Sequence, residues 1–592
     1  MNIIKQDILL HIIRHGYKNQ RDISSHTGWS LGLINKTISE LISDGNINSD
    51  YTLSEDTINK IKLESPKCAV ILAAGCGLRM APINYDVPKG LIVAKGEHLI
   101  ERQIKQLHEV GIKKIYIVVG FMKESFEFLI DKYGVELIVN CDYYNKSNLH
   151  SLSLASDKFC GAYIVPCDLY FKENPFSKYE YYSWYMLSEK DIEESTIRLS
   201  KKREIFTDDT GLSGKRMVGV AYISHSEAEL FSDLINRHDK LPKYNRDFWE
   251  DAVFNSKGKM LLKAKTVNDN CFTEVNSYED LRDLDENSKN LNTEAISIIS
   301  ESFNCNVSDI KNIAVLKKGM TNRSFIFECF GKKYIMRIPG EGTQELINRK
   351  HEADVYSAIG SRGISDDAVY MNPENGYKIT GYFDKARNCD CENEEEVKKC
   401  MQKLREFHEL GLKVAHEFSV FSELEFYESL WNDEKSVYSD YETTKNNVLR
   451  LRKYIENHIE KKTLCHIDSV PDNFLFIRNE NGEEEIKLID WEYAGMQDPH
   501  IDIAMFAIYS MYDREKIDKL IDFYFVEGCD PYIRIKIYCY IAVCGLLWSN
   551  WCEYKRQLGV EFGEYSLRQY RYAKEYSRIA ISGIEKIGEQ HE

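Results

Sequence analysis

One stretch of the chain, residues 464–491, has the residue types and spacing of a phosphoryl-transfer site. It contains His466-Ile-Asp468-Ser-Val-Pro-Asp-Asn473 and, after a charged turn, an aspartate between apolar residues, Asp490. The carboxylate of Asp468 can accept a proton from a substrate hydroxyl, and Asn473 and Asp490 can hold Mg²⁺ against nucleotide phosphates. We therefore predict that Asp468 is catalytic and that Asn473 and Asp490 are magnesium ligands.

A second phosphate-binding stretch lies far upstream, where a buried strand enters a glycine turn. Its small residues let the backbone approach a nucleotide, and successive N–H groups can hold phosphates. Arg79 and Lys89 can neutralise a triphosphate and the pyrophosphate that leaves it, so both are predicted to be catalytic. The predicted nucleotide-binding residues are Leu72, Ala73, Ala74, Gly75, Gly77, Arg79 and Lys89. Two such sites in one chain suggest consecutive reactions.

Length and composition limit the class of protein. The chain has 592 residues, enough for several domains, and its net charge of −17 argues against a nucleic-acid coat or a binder of anionic membranes. The 16 cysteines show no paired framework, which favours reduced thiols and a cytoplasmic location. The N-terminus lacks a signal-peptide pattern. The longest apolar run, residues 537–548, is too short to span a bilayer and predicts a buried helix.

Residues 1–62 are predicted to form three short helices and a small wing. Apolar residues recur at helical spacing at Ile8, Leu9, Ile12 and Ile13. The segment resembles a winged helix-turn-helix. Residues 1–60 carry six Lys/Arg against seven Asp/Glu, and the third helix carries only Lys36. A docking or dimerisation module is therefore favoured over DNA binding, which remains the alternative.

Residues 66–288 alternate strand-like and helical patterns after a charged linker at residues 60–67. The strand-like runs at residues 114–120, 136–140 and 162–166 indicate a parallel α/β sheet. Residues 281–293 are polar and charged, and they are expected to form the next linker.

The glycine turn, together with Pro-Lys-Gly-Leu at residues 88–91 and Gly-Glu-His-Leu-Ile-Glu-Arg at residues 96–102, resembles the sugar-nucleotide and phosphocholine nucleotidyltransferase family. The resemblance implies a Rossmann-like fold in which Asp168 and Glu274 bind Mg²⁺. Asn276 stands where the phosphocholine branch tends to have aspartate, so this ligand brings no charge. The implied reaction is in-line attack by a phosphomonoester on the α-phosphorus of a nucleoside triphosphate.

Two further segments carry residues that could surround a quaternary ammonium group. Trp184 follows Ser183, and Trp249 and Glu250 follow one another in the second segment. Aromatic faces and carboxylates attract such a cation. We expect these residues, with Asn148 on the substrate side, to bind phosphocholine; the alternative is that the aromatic residues form the core.

Residues 295–592 are predicted to form a small β-rich lobe followed by a helical lobe, which is the layout of a kinase. Residues 316–325 fit a hairpin that covers phosphates. Arg337 takes the place of the strand lysine that pairs with nucleotide phosphates, and Glu352 would brace it from a helix. The predicted ATP-binding residues are Gly319, Thr321, Asn322, Ser324, Arg337 and Glu352.

The order of Gly-x-Thr-Asn, Arg-Ile-Pro-Gly, His-x-Asp-x-x-x-x-Asn and Ile-Asp-Trp-Glu resembles the choline/ethanolamine kinase family, within the aminoglycoside-phosphotransferase-like kinases. The resemblance implies an aromatic box for trimethylammonium at Trp548, Trp551 and Tyr565, with a carboxylate at Glu492. A cation without N–H donors must be recognised by aromatic faces and a carboxylate. Core packing is the alternative explanation of these aromatic residues.

Together these patterns predict a multidomain chain: a small α winged helix, an α/β nucleotidyltransferase and an α+β bilobal kinase-like domain. The expected function is synthesis of CDP-choline from choline, ATP and CTP through phosphocholine, with Mg²⁺ as cofactor. One alternative is the same chemistry on ethanolamine or another amino alcohol. The other is a choline-sensing transcriptional regulator with degenerate catalytic domains. No membrane partner is expected, and the sequence is compatible with a homo-oligomer.

Overall fold

The computed structural model of the chain divides into two compact units. It describes residues 2–83, 87–193, 195–208, 213–256, 258–316, 322–340, 347–360, 362–431, 435–478, 482–560 and 562–589. The first unit comprises Met1–Ser297 with Ile313–Val315, and the second comprises Ile298–Asn312 with Leu316–Glu592.

The N-terminal module of the first unit consists of four helices and a short wing. The helices are Ile3–His15, Gln20–Thr27, Leu31–Ser43 and Glu55–Glu64. The side chains of Asn2 and Asn19 accept hydrogen bonds from backbone N–H groups of the first turns, which fixes where the first two helices begin. The fourth helix occupies part of residues 60–67, so this segment is helical where a linker was expected.

The rest of the first unit is built on a seven-stranded sheet with helices on both faces. In spatial order the strands are Lys263–Val267, Trp184–Ile192, Gly214–Ile223, Ala162–Pro166, Cys68–Ala73, Lys114–Val119 and Glu136–Val139. The last four are parallel, whereas Gly214–Ile223 runs antiparallel to both of its neighbours. The expectation of a parallel sheet is therefore correct for one half of the sheet only.

Shorter elements complete this unit. The helices are Leu99–Glu109, Phe128–Tyr133, Asn148–Ser153, Ala228–Asp239, Trp249–Phe254 and Tyr278–Leu284, and the short strands are Val93–Ala94, Glu97–His98, Leu169–Phe171, Ile197–Leu199, Ile205–Thr207 and Phe272–Glu274. Residues 281–293 are not a loose linker. The backbone N–H groups of Lys95 and Val93 donate to the side chains of Asp285 and Asn290, at 2.6 and 2.8 Å, so the segment is anchored to the sheet domain.

The second unit has a β-rich part and a larger helical part. Helix Glu294–Phe303 and strand Lys311–Val315 precede four antiparallel strands. In spatial order these strands are Asn322–Cys329, Lys332–Pro339, Lys378–Gly381 and Ala368–Met371. Along the chain, helix Arg349–Ile359 follows strand Lys332–Pro339 and precedes strand Ala368–Met371. The helices that follow are Glu394–Glu409, Val420–Ser429, Tyr441–Leu449, Arg452–Asn457, His500–Tyr509, Arg514–Tyr524, Pro531–Gln557 and Glu564–Glu589. Between them lie the strands Arg387–Asn388, Thr463–Cys465, Phe474–Arg478, Glu484–Leu488 and Gly495–Gln497.

Helix Pro531–Gln557 is the centre of the helical part. By length and composition alone it could cross a membrane, but 72% of its apolar window is buried within the protein. It packs against the helices that begin at Val420, His500 and Glu564. The buried helix predicted over residues 537–548 is therefore present. The predicted fold class, a winged helix joined to a Rossmann-like and a kinase-like domain, is confirmed.

Candidate active sites

The glycine turn of the first unit lies at the carboxyl end of the central parallel strand. Leu72 pairs with Val118 on one side and Pro166 on the other. The backbone carbonyl of Ala74 accepts a hydrogen bond from Phe121, at 3.0 Å, so the end of the neighbouring strand holds the turn. Ligands of open α/β sheets bind at this edge of the strands. The predicted run Leu72–Gly77 is thus placed where a nucleotide would bind.

A lysine and two predicted metal ligands meet beside this turn. The Nζ atom of Lys89 lies 2.5 Å from Oδ2 of Asp168 and 2.6 Å from Oδ1 of Asn276. Gly77 adopts φ +56°, and a Cβ atom there would lie 3.5 Å from the Cβ of Lys89, so turn and lysine are neighbours. Arg79, the other predicted cation of this turn, is exposed.

Strand pairing brings residues from distant parts of the sequence to this centre. Glu274 pairs with Leu169, and the N–H of Val275 donates to the carbonyl of Asp168, at 2.9 Å. The carboxylate of Glu274 forms an ion pair with Arg216, at 3.0 Å. Arg216 was not predicted, because nothing local in the sequence links the beginning of strand Gly214–Ile223 to this edge.

The oxygen atoms at this centre fit a divalent cation. Asp168 and Asn276 both direct a side-chain oxygen at one ammonium group, that of Lys89. Carboxylate and amide oxygens are the ligands that hard divalent cations prefer. The oxygen atoms that now surround Lys89 Nζ are therefore of the kind that would hold a divalent cation.

A buried carboxylate lies in the same unit. Oε1 of Glu250 accepts a hydrogen bond from the Tyr185 hydroxyl, at 3.0 Å, and Oε2 has no hydrogen-bond partner among the described residues. Burial raises the pKa of Glu250 to about 7. Burial and the charges of Glu250 and Glu274 raise the pKa of Tyr185, so this phenol has both carboxylates as neighbours. The side-chain oxygen of Asn148 accepts from the N–H of Trp249, at 2.9 Å, which brings Asn148 to Glu250.

The two tryptophans predicted for this pocket lie on opposite faces of the sheet. Trp249 packs against Tyr185 and Phe231 on one face, and Trp184 packs against Tyr163 on the other. Both are almost fully buried. The side chain of Trp184 donates to Glu180 rather than facing Glu250. Trp184 and Tyr185 are adjacent in one strand, so their side chains point to opposite faces of the sheet. Tyr185 packs against Trp249, and the rings of Trp184 and Trp249 therefore do not form one wall.

In the second unit, one cavity of about 740 Å³ contains most of the predicted kinase residues. They come from the β-rich part, the loop at residues 466–473, the aspartate that follows strand Glu484–Leu488, and the long helix. The predicted residues that line it are Ser324, Arg337, Asp468, Asn473, Asp490, Glu492, Trp548, Trp551 and Tyr565. The volume is that of an ordinary small-molecule site.

The cavity brings the carboxyl groups of Asp468, Asp490 and Glu492 close enough to affect one another. Burial and the neighbouring charges of Asp490 and Glu492 raise the pKa of Asp468 to about 8. Burial and Asp490 likewise raise the pKa of Glu492. The amide of Asn473 donates to Asp468 Oδ2, at 3.0 Å, which leaves its own oxygen as a ligand atom. A divalent cation fits here, because it would offset negative charge that cations such as Arg349, 3.5 Å from Glu492, compensate only in part.

Backbone geometry aims the two aspartates at the cavity. Ile467 and Asp490 both have φ of 67°, a left-handed conformation that non-glycine residues rarely adopt. The carboxylate of Asp502 accepts from the N–H groups of His466 and Ile467, at 2.8 and 2.7 Å, and so holds the loop in this conformation. His466 Nε2 contacts the carbonyl of Ile489, at 2.9 Å, beside Asp490. His466 thus connects the loop to the residues next to Asp490.

The predicted brace between strand and helix is present. Arg337 donates two hydrogen bonds of 2.6 Å to the carboxylate of Glu352. Lys378 and Arg349 lie 3.1 and 3.2 Å from the same carboxylate. Burial alone would raise the pKa of Glu352, but Lys378 and Arg337 hold it well below its usual range. Lys378 was not predicted, because its position in the sequence gives no sign of this contact.

Aromatic rings form the far wall of the cavity. The rings of Trp548 and Trp551 are edge to face, with centroids 5.4 Å apart, and Phe562 lies 5.0 Å from Trp551. Tyr493 lies 6.1 Å from Trp548. Tyr493 and Phe562 were not predicted; Tyr493 directly follows Glu492, which is a signal that could have found it. Gly319 and Thr321 lie outside the described residues, as does the side chain of Asn322.

The helix Leu31–Ser43 of the N-terminal module presents no basic surface. Its exposed residues are Leu31, Gly32, Asn35, Lys36, Ser39, Glu40 and Ser43. One lysine and one glutamate cancel in charge. This is less positive charge than DNA phosphates require of a recognition helix.

Family models match three successive segments of the chain. Residues 1–47 match a winged helix-turn-helix DNA-binding model, residues 69–178 a MobA-like NTP transferase domain, and residues 313–521 choline/ethanolamine kinase. The last two families generally use a divalent metal.

Individual relatives match the two larger segments separately. A choline-phosphate cytidylyltransferase of Streptococcus pneumoniae is 29% identical over 237 residues, which are 38% of this chain and 99% of that protein. A protein named LicA from Haemophilus influenzae is 26% identical and covers 42% of this chain and 96% of its own length. The crystal structure of choline kinase LicA from Streptococcus pneumoniae is 28% identical, covers 50% of this chain and 100% of its own, and has a TM-score of 0.40.

Proposed function

We propose that this chain, a fusion of a nucleotidyltransferase domain with a choline/ethanolamine kinase domain, makes CDP-choline in two consecutive reactions. ATP first phosphorylates choline at the second unit. CTP then donates CMP to phosphocholine at the first unit, and pyrophosphate leaves. The observation that carries the proposal is the single cavity in which Asp468, Asp490 and Glu492 face an aromatic wall. Such a cavity suits a cationic alcohol held beside a phosphoryl donor.

At the kinase centre, Asp468 accepts the hydroxyl proton of choline as the oxygen attacks the γ-phosphorus of ATP. Mg²⁺, when bound, supplies positive charge for the phosphates, and Asn473 and Asp490 are the residues that would hold it. Arg337, braced by Glu352, is the cation for the nucleotide phosphates. The trimethylammonium group lies against Trp548 and neighbouring rings, with Glu492 as the nearby negative charge.

At the nucleotidyltransferase centre, a phosphate oxygen of phosphocholine attacks the α-phosphorus of CTP. Arg79 and Lys89 stabilise the negative charge that develops on the phosphates and on the leaving pyrophosphate. Mg²⁺ would be held by Asp168, Glu274 and Asn276, where the first two bring the charge and the last only a carbonyl oxygen.

The ammonium end of phosphocholine is assigned to Glu250. Its Oε2 atom is buried without a hydrogen-bond partner among the described residues, so a cation would find an uncompensated acceptor there. Asn148 lies beside it. Trp184, which points to the other face of the sheet, is left out of this pocket.

The proposal is tested by incubating the full chain with choline, ATP, CTP and Mg²⁺ and identifying the products by mass. CDP-choline, ADP and pyrophosphate are expected. Omission of CTP should leave phosphocholine, and omission of ATP should leave no product unless phosphocholine is added. Absence of CDP-choline, with a footprint on promoter DNA instead, would favour the regulator.

The amine is decided by the same assay with choline and ethanolamine at equal concentrations. Choline should be preferred, because aromatic rings bind a cation that lacks N–H donors. Faster turnover of ethanolamine would keep both activities and replace the substrate.

A cytoplasmic location is proposed because ATP and CTP are drawn from that compartment, and the N-terminal module is proposed as a docking module.

A further inference from the structure

Two helices of the N-terminal module bring four potential metal ligands to one place. His11 and His15 are four residues apart on helix Ile3–His15, and Asp22 and His26 are four residues apart on helix Gln20–Thr27. Residues at this spacing lie on the same face of a helix, one turn apart. Each helix therefore presents a pair of ligands, and the two pairs face each other.

The distances between these side chains are short. His11 Nε2 lies 3.0 Å from Asp22 Oδ2. One ligand atom each of His11, Asp22 and His26 lies within 4.8 Å of the others. The ring of His15 has its centroid 5.1 Å from that of His11 and 5.5 Å from that of His26. Ligands on a tetrahedral zinc ion are about 3.3 Å apart, given Zn–N bonds of about 2.0 Å. The cluster thus approaches ligand spacing without an ion.

A structural role accounts for only two of the four side chains, those of His11 and Asp22. The hydrogen bond between His11 and Asp22 joins the two helices by itself. His15 and His26 are exposed, yet both rings turn toward the same point. Nδ1 of His26 lies 2.8 Å from the backbone carbonyl of Asp22. A donation there leaves the lone pair on Nε2, which is the arrangement that metal-binding histidines usually have.

We propose that His11, His15, Asp22 and His26 bind one transition-metal ion of the Zn²⁺ class. Three imidazoles and one carboxylate suit Zn²⁺, Co²⁺ or Ni²⁺ and are a poor set for Mg²⁺ or Ca²⁺, which take oxygen ligands. The site is separate from both active centres and does not depend on the proposed function.

The ion would tie the first helix to the second and thereby act on contacts with the sheet domain. The residue next to His15, Arg14, donates to the carbonyl of Tyr179 and lies 2.9 Å from Glu180. Glu180 in turn accepts from the side chains of Tyr163 and Trp184 in the core of the sheet domain. Metal binding should therefore raise the thermal stability of the first unit.

The test is a Co²⁺ titration of the full chain, without an affinity tag, in excess Mg²⁺ that occupies the oxygen-ligand sites of both centres. The unmodified chain should bind one equivalent of Co²⁺ and show the strong visible absorption of a four-coordinate ion. Zn²⁺ should displace it and raise the unfolding temperature.

Variants at the two exposed positions make the assignment specific. His15→Gln and His26→Gln should each weaken Co²⁺ binding by at least about tenfold, since even residues behind the ligands have effects of that size. His238→Gln, which removes a histidine from the sheet domain, is the matched control and should bind like the unmodified chain. The proposal is overturned if the unmodified chain shows no such absorption, or if either cluster variant binds Co²⁺ as tightly as the unmodified chain.

Discussion

The two catalytic centres differ in how far nearby cations compensate their carboxylates. In the first unit, the predicted metal-binding carboxylates are already paired, Asp168 with Lys89 and Glu274 with Arg216. In the second unit, burial and the neighbouring charge of Asp490 raise the pKa values of Asp468 and Glu492, although Arg349 lies 3.5 Å from Glu492.

The difference follows from what each centre must receive. A nucleotidyltransferase centre admits two phosphorylated substrates, so it needs cations in place before they arrive. A kinase centre for a cationic alcohol admits a metal–nucleotide complex and an ammonium group, and both bring positive charge to an anionic cavity. Each centre is thus charged to complement its own substrates, and each should fail separately.

The largest expected effect is on phosphorylation of choline. Asp468→Asn removes the proton acceptor and should lower kcat about 10²–10⁴-fold, the usual contribution of a general base. Conversion of added phosphocholine with CTP should be unchanged. Separate assays of the two half-reactions measure this, with Asp354→Asn, an exposed aspartate of helix Arg349–Ile359 that does not line the cavity, as the control. Loss of both activities from a folded protein would contradict two independent centres.

The reciprocal change is at the first centre. Lys89→Ala removes the cation beside Asp168 and should slow CMP transfer about 10²–10³-fold, as loss of one charge-stabilising donor does. Phosphorylation of choline should continue at its normal rate. Lys113→Ala, an exposed lysine of the same unit, is the matched control. A kinase rate that fell with Lys89→Ala would show that the centres are coupled.

A smaller effect is expected at the aromatic wall. Trp548→Ala should raise the KM for choline by up to about thirtyfold, since a desolvated cation–π contact contributes about 2 kcal/mol. The uncharged analogue 3,3-dimethylbutanol, tested as a competitor, should lose less affinity than choline does. Equal losses would mean that the ring acts through packing alone.

The smallest effect concerns pH at the first centre. Because burial raises the pKa of Glu250 to about 7, this carboxyl is protonated below that pH in the free protein. A proton competes with the ammonium of phosphocholine, so the KM should rise about tenfold per pH unit below the pKa and level off above it. Kinetics of CMP transfer from pH 6 to 8 measure this, and Glu250→Gln should remove the dependence.

Stability gives a second measurement on the same residue. Between pH 4.5 and about 7 the folded state keeps a proton on Glu250 that the unfolded state has lost. The free energy of unfolding should therefore fall as pH rises through this window, by about 3 kcal/mol in all at 1.36 kcal/mol per pKa unit. Glu250→Gln should flatten this window, and an unchanged slope would contradict the raised pKa.

Residues in contiguous motifs could be predicted because their chemistry and their spacing are local. Asp468, Asn473 and Asp490 lie on loops directly before or after strands, and the cavity contains all three. The tryptophans of the first unit show the limit of this approach. Trp184 and Tyr185 are adjacent in the sequence but face opposite sides of the sheet, and the sequence does not say which side holds the site.

The amino-acid sequence by itself indicated the multidomain fold class, the glycine turn after the central strand and the loop that carries Asp468, because these depend on residue order over short distances. Only the tertiary structure decided which charges meet. Polar contacts join residues on separate elements: Lys378 with Glu352, Arg216 with Glu274, and His11 with Asp22. Such contacts depend on how the elements pack against one another. Burial of apolar faces decides that packing, so the spacing of the polar residues in the sequence does not reveal which of them will meet.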